Sequence, residues 1–502
     1  MNTNDGPQVL AFAIDAAEPT LIRKMIEQNE MPTLKALLSD GRWMNVKSPA
    51  DIGSGSVWAS FLTGEDPVAH GFYGEWCWEP EQMGVRRVTS QELIPFWKTL
   101  AENGTTVGVL DVPFMTLVGL SKGFEVSEWG PHELLEGRVH AAPEGVANLI
   151  SNHVAHPLSY DRLDAGGPND YENLQRLISA SLDGIRQRGS LAQNLITETR
   201  PHLALIAFTE IHHAAHFLWH TVEPEHPVYG KDVFGDLRTL KPSLKEIYRE
   251  VDRQIGALIE TFGEGATIMV FSLHGMQPSH GVPAFLSSLL CEKGFAQLAG
   301  WNSQSWTERA IALMAAAKRR SPTALRKLYY KTMPSTTTQR LARPTMMPAH
   351  DWNRTRAFAL PTDQHGWIRI NLRGREAGGI VPVDQYEGIC QELEQLIRSL
   401  TTEDGKLLAR KVIRTAERGE DALASRLPDL VVHWQDEVFA APLRIKGSSV
   451  EAQPVGRKYN GQHALDGFCI LRGAEELHQR DSVNAKDIHR LISKSLRIPI
   501  TE

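Results

Sequence analysis

At 502 residues, the chain is long enough for one large domain with insertions, or for two to three domains. Its 42% hydrophobic and 23% charged content is that of an ordinary globular protein, and no run approaches the ~20 apolar residues of a membrane-spanning helix. A net charge of −7 argues against nonspecific capture of a nucleic acid polymer. The four cysteines, Cys77, Cys291, Cys390 and Cys469, are far apart and show neither metal spacing nor a disulfide framework. The N-terminus shows no basic region followed by an apolar core and a cleavage site. A reducing, cytoplasmic setting is the expectation.

In chain order, the first predicted element is the apolar run 9–14, a buried strand that ends at Asp15. Residues 48–74 follow, with hydroxyls in a Gly/Ser-rich turn, a helix-like run at 57–62, then Thr63-Gly64, Asp66-Pro67 and His70-Gly71. A carboxylate at a strand end facing a serine at a helix start suits metal-assisted attack on phosphorus or sulfur. The helix N-terminus favours an anion, and a divalent cation lowers the pKa of a bound hydroxyl. A plain strand, turn and N-cap serine would account for the same residues without chemistry.

Residues 92–103 read as a helix and 106–110 as a strand leading to Asp111. Residues 120–170 are rich in Gly, Pro and His and read as loops, a lid over the sheet. Residues 171–199 are helical. The run 203–208 is a strand, followed by Thr209-Glu210-Ile211-His212-His213-Ala214-Ala215-His216-Phe217-Leu218-Trp219-His220. On a helix, His212 and His216 share one face, one turn apart, as two ligands of one metal would. His213 and His220 would point elsewhere, as surface or supporting residues. A helix at 244–262 precedes a strand from 267, which ends in the turn His274-Gly275. Residues 306–330 form a basic, Ala-rich helical insert; Lys318, Arg319, Arg320, Arg326, Lys327 and Lys331 read as a solvated face. From about 355, strands and helices return, with a helix at 385–400, a polar His turn at 461–467 and a strand at 468–471. Several His or Asp residues thus sit beside apolar runs. Ligands gather at the carboxyl ends of strands in open α/β sheets, so a shared metal site is expected. Alternating elements predict a largely parallel sheet with helices on both faces.

These residues resemble the alkaline phosphatase superfamily, in its type I phosphodiesterase / nucleotide pyrophosphatase branch. The likeness runs over nearly the whole chain. The family's strand-end Asp is matched by Asp15. Its nucleophile segment, T-x-P-x-x-x-S-x-x-T-G-x-x-P-x-x-H-G, is matched by Ser54, Ser60, Thr63, Gly64, Pro67, His70 and Gly71, with Ser56 in place of the Pro. Its D-x-x-x-H pair falls on His212 and His216, its S-D-H-G-M turn on residues 272–276, and its late metal His on His463. Segments 368–376 and 427–432 also look familiar but carry no chemistry.

The resemblance implies an alkaline-phosphatase-like three-layer α/β sandwich. It implies a metal-dependent phosphodiesterase or pyrophosphatase acting on a small-molecule phosphoester. Ser54 would be the nucleophile, with Ser56 the alternative, and would form a phospho-serine intermediate. One cation, zinc or manganese, would lie on His212, His216 and His463. A second would lie on Asp15, Ser54 and His274. This chain departs from the pattern at two ligands: His212 and Leu273 stand where the family has Asp. Asp466 and Glu210 are the carboxylates offered to complete the second position. Trp58, Trp76, Trp78 and Trp219 lie near the motifs, either stacking on a substrate ring or packing in the core. The sulfatase signature Cys/Ser-x-Pro-x-Arg is absent from residues 54–58. A phosphoryl transferase on the same residues, and a metal-binding protein without turnover, are the rival readings. The domain reading is a discontinuous core, 1–295 plus 350–502, around a helical insert at 296–349.

Overall fold

The computed structural model describes residues 6–498 apart from 89–91, 131–138, 152, 154, 159–170, 227–228, 230–242, 264, 280–284, 301–345, 362–363, 419–425, 436–442, 453–458 and 475–480. The basic stretch 318–331 and most of the expected insert therefore lie outside the described residues.

Nine strands form the main sheet: β1 (Val9–Ile14), β2 (Arg42–Lys47), β3 (Val107–Leu110), β4 (Gly123–Ser127), β5 (His140–Ala142), β6 (Leu203–Phe208), β7 (Thr267–Ser272), β8 (Asp466–Arg472) and β9 (Ser482–Asn484). Their order is β9-β2-β8-β7-β1-β6-β3-β4-β5. The central run β7-β1-β6-β3-β4 is parallel, with Ala11 opposite both Leu205 and Met269. β8 runs antiparallel to β7 and β2, and β5 antiparallel to β4. Every residue of β1, β6 and β7 is buried. Continuous apolar strands of this kind need cover on both faces.

β1 shows how the layers form. Successive strand side chains point to opposite faces. Leu10, Phe12 and Ile14 enter one apolar cluster with helices α3 (Tyr171–Thr199), α4 (Glu210–Leu218) and α5 (Ser243–Phe262). Val9, Ala11 and Ala13 enter another with helix α2 (Ser56–Thr63). The result is a sheet between two helical layers, as expected.

Two features depart from the sequence reading. The stretch expected to be loops, from 120, contributes β4 and β5 to the sheet and a helix, Glu144–Ser151. The run Phe124-Glu125-Val126 is short, and Gly and Pro around it hide its strand character; pairing with β3 makes the strand. Residues 357–434 form a separate four-stranded antiparallel sheet, in the order Ala357–Leu360, Gly366–Ile370, Leu430–Trp434, Ala409–Arg414, with helix Tyr386–Ser399 and an apolar core of its own. The chain returns to the main sheet only at β8.

Burial also sets an acid limit on the fold. It holds His70, His220 and His350 down to about 4, and His433 to about 3. The unfolded chain protonates these rings near pH 6.5, the folded chain only near 3 to 4. Between those values the unfolded state binds more protons, so stability falls as pH falls. Glu18 opposes this: burial raises its carboxyl to about 7, so its share of stability is lost as pH rises from about 4.5 to 7. Four rings outweigh one carboxyl. The melting temperature is expected to fall steadily from pH 6.5 to 4 at constant ionic strength; a flat or rising curve would contradict this.

Candidate metal centre and nucleophile loop

Topology brings the predicted residues to one sheet edge. β1, β6 and β7 are parallel neighbours, so Asp15, the 209–216 segment and His274 all follow strand ends on that edge. β8 is antiparallel, so its start lies on the same edge, just after His463. β2 pairs with β8 and delivers Ser48 to Ser54 there too. A short antiparallel ribbon pairs Met276 with His463, which seats the late histidine beside the His274 turn. The two rings are 4.7 Å apart between centroids.

On α4 the i, i+4 spacing places His212 and His216 on one face, with ring centroids 4.9 Å apart. His212, His216 and His463 each offer a ring nitrogen, all within 4.8 Å of one another. His212 Nδ1 lies 2.7 Å from Asp15 Oδ2, and His216 Nδ1 lies 2.9 Å from the Gly461 carbonyl. An ionised carboxylate and a carbonyl only accept, so each Nδ1 carries the proton and each Nε2 keeps its lone pair. That arrangement orients histidines toward a metal. His212 Nε2 faces His463 Nε2 at 2.8 Å. Three histidine nitrogens converging in this way suit zinc. The donor set therefore fits the cation that the resemblance implies. The Tyr459 hydroxyl is 3.2 Å from His216 Nε2, and its ring stacks on His216 at 4.4 Å.

Asp15 is held from both oxygens. Besides His212 on Oδ2, the Trp58 indole donates to Oδ1 at 3.0 Å, and His274 Nε2 lies 3.8 Å from Oδ1. Around it the loops are tied together. Ser272 Oγ donates to the His274 carbonyl at 2.6 Å and accepts from Ala17 N at 3.1 Å. Glu18 accepts from Thr20 N at the start of helix α1 (Pro19–Glu27), and from Met276 N.

Ser54 lies half-buried between a short turn, Pro49–Asp51, and the N-terminus of α2, four residues before Trp58. Ser56 is different: it is fully buried, and its hydroxyl lies 2.6 Å from the Gly53 carbonyl and 2.8 Å from that of Pro49. The rest of the motif shapes the loop. Gly64 and Gly71 adopt φ of 74° and 72° at helix ends, conformations that favour glycine. His70 accepts from Phe72 N at Nδ1, so its Nε2–H donates to Ser60 Oγ at 2.9 Å.

Leu273 is buried in the same apolar cluster as Trp58 and Val57 and supplies no ligand. Glu210 does not complete a second metal position. It is fully buried, 2.8 Å from Arg188 Nε and 3.1 Å from His156 Nε2. Burial alone would raise its carboxyl, but these partners hold it near 2. Asp466 is exposed beside a cavity of about 470 Å³ that Lys47, Asp51, Arg410 and Lys411 also line. His213 and His220 are buried rather than at the surface: His212 is the part-exposed residue of α4, and His220 sits in the buried turn Trp219–Thr221. Trp58, Trp78 and Trp219 are core residues, and Trp76 is half-buried. Sequence reasoning missed Tyr459 and the Trp58–Asp15 bond; no motif spacing marks either one.

The Type I phosphodiesterase / nucleotide pyrophosphatase profile matches residues 9–453. Phosphonoacetate hydrolase from Sinorhizobium meliloti 1021, solved with phosphonoformate and with phosphonoacetate, has a similar structure. Each comparison shows 13% identity over 98% of this chain and 96% of the other, with TM-scores of 0.51 and 0.52. An inactive form of murine ectonucleotide pyrophosphatase / phosphodiesterase 5, solved with AMP, is 11% identical over 99% of this chain and 96% of its own, with a TM-score of 0.48. No curated protein is matched by sequence. At these identities the hydrolase likeness shows the alkaline-phosphatase-like fold. No helix among the described residues is long and apolar enough to cross a membrane.

Proposed function

The chain belongs to the type I phosphodiesterase / nucleotide pyrophosphatase family, and from that premise we propose that it hydrolyses small-molecule phosphodiesters or pyrophosphates, with Ser54 as nucleophile. The observation that carries the reading is the convergence of His212, His216 and His463 on the sheet edge that also receives Ser54. A divalent cation bound there, zinc or manganese, supplies positive charge to phosphoryl oxygens and lowers the pKa of a nearby hydroxyl. His212 and His216 hold their Nε2 lone pairs in place through Asp15 and Gly461. The start of α2 places the positive end of the helix dipole beside Ser54, which favours an anion there. Ser54 Oγ attacks phosphorus, the alcohol or phosphate leaves, and water then releases the phosphoryl group from the serine. His274 lies beside Asp15 and is the remaining donor for a second cation.

In this reading the discontinuous core, 1–295 plus 350–502, carries the chemistry and the 296–349 insert lies outside it. A cytoplasmic setting accords with four unpaired cysteines. Leu273 favours one rival, a metal-binding protein without turnover. A chromogenic bis-aryl phosphate, assayed with and without a chelator, separates the two. Chelator-sensitive release of the aryl alcohol, restored by added zinc or manganese, is expected. Metal binding without release would overturn hydrolysis. Transfer of the phosphoryl group to an added alcohol in preference to water would instead identify a transferase.

A further inference from the structure

Three rings on or just before strands of the four-stranded sheet reach the segment that leads into Ser54. His365 Nε2 lies 2.9 Å from the Ala50 carbonyl, His433 Nε2 lies 2.7 Å from that of Asp51, and Trp367 Nε1 lies 2.8 Å from that of Ile52. A carbonyl only accepts, so all three nitrogens carry hydrogen. Three consecutive carbonyls are thus bonded by donors from residues more than 300 positions away.

The donors are themselves fixed. His365 and His433 are buried and stack with centroids 4.3 Å apart and planes 5° off parallel. Burial first, and His365 beside it, keep His433 neutral with its pKa near 3. The Trp367 ring packs edge-on to Tyr73 and lies close over Gly53 and Gly74: a Cβ on Gly53 would fall 2.7 Å from that ring. A Cβ on Gly55 would fall 2.6 Å from Gly74. The backbone on both sides of Ser54 is therefore pressed against fixed atoms. Arg418 pairs with the Asp51 side chain and Ser56 closes the turn onto Pro49, so the segment is held from each direction.

We propose that His365, Trp367 and His433 are positioning residues for Ser54, through which the 357–434 sheet sets where the serine hydroxyl stands. This rests on the reading of Ser54 as nucleophile. One face of that sheet also packs on the loop: Phe358, Trp367 and Val431 share an apolar cluster with Ala50, Ile52 and Tyr73. A hydroxyl displaced by about 1 Å can lose roughly 100-fold in rate while substrate binding survives.

Trp367→Phe keeps an aromatic ring but removes the N–H and the part of the indole that lies over Gly53 and Gly74. His433→Phe removes the donor, and His433→Gln restores one at a similar reach. Assayed as the full-length metal-loaded protein on a bis-aryl phosphate, Trp367→Phe and His433→Phe should lose about 10-fold or more in kcat, with KM within about 2-fold. Zinc content should be unchanged, and His433→Gln should recover most of the rate. Full kcat in Trp367→Phe, or a His433→Gln as slow as His433→Phe, would overturn the proposal. So would a loss confined to KM. If His433→Phe fails to fold, Trp367→Phe and His433→Gln still decide. Ser54→Ala separates the two layers: retained turnover there defeats the nucleophile reading, whereas a dead Ser54→Ala beside fully active ring variants defeats only the positioning role.

Discussion

Ser54→Ala is expected to abolish turnover, by roughly 1,000-fold or more, while leaving the fold and bound metal in place. Ser54 is half-buried at a helix start, and its removal leaves no cavity in the core. Ser56→Ala should behave in the opposite way. The buried Ser56 hydroxyl shares its one proton between the Gly53 and Pro49 carbonyls, which also accept from Ser56 N and Ile52 N, so its loss removes a buried hydrogen bond without stranding either carbonyl. The cost should be about 0.5 to 1.5 kcal/mol of stability, with turnover falling only as far as the loop shifts. Melting curves and steady-state rates on the two variants check this. A dead Ser56→Ala with an active Ser54→Ala would move the nucleophile by two residues.

Metal stoichiometry carries the second large effect. The unmodified protein should bind a single tight equivalent of zinc. His216→Ala should reduce that to a trace, because two nitrogens remain where structural and catalytic zinc sites use at least three protein ligands. The second position should be weak for a physical reason visible in the contacts. Both oxygens of Asp15 are already engaged, by Trp58 and His212, and Leu273 offers no donor. Ligand number and charge set affinity for a dication. Leu273→Asp should add a second equivalent and make stability depend on zinc. Without metal, the new carboxylate would be buried among apolar side chains at a cost of several kcal/mol. Metal analysis and melting with and without zinc test both variants. Two equally tight equivalents in the unmodified chain would show that another carboxylate serves the second position, with Asp466 the first to replace.

Much of this site was legible in the chain. The apolar runs at β1, β6 and β7 announce buried parallel strands, since only residues covered on both faces dispense with alternation. His212 and His216 announce a shared helix face by spacing alone. The order of motifs from Asp15 to His463 points to the family. The second sheet was less legible. Its strands are short and antiparallel, and their period merges with the helices around them. The strands after Gly119 were obscured in the same way by flanking glycines and prolines.

Two carboxylates show where sequence reasoning stops. Asp15 and Glu210 both follow buried strands, and both read as candidates for the metal. Asp15 meets His212 across 197 positions, beside His216 and His463; Glu210 meets Arg188 and His156 and is sealed in an ion pair. Local sequence determines strand, helix and turn, because neighbouring residues set dihedral preference and the period of burial. The role of a buried charge depends on which distant group neutralises it once water is gone. Asp15 finds a histidine of the candidate metal cluster, and the carbonyls before Ser54 find three rings more than 300 positions away. Only the tertiary structure, by bringing those partners within hydrogen-bond reach, decided both.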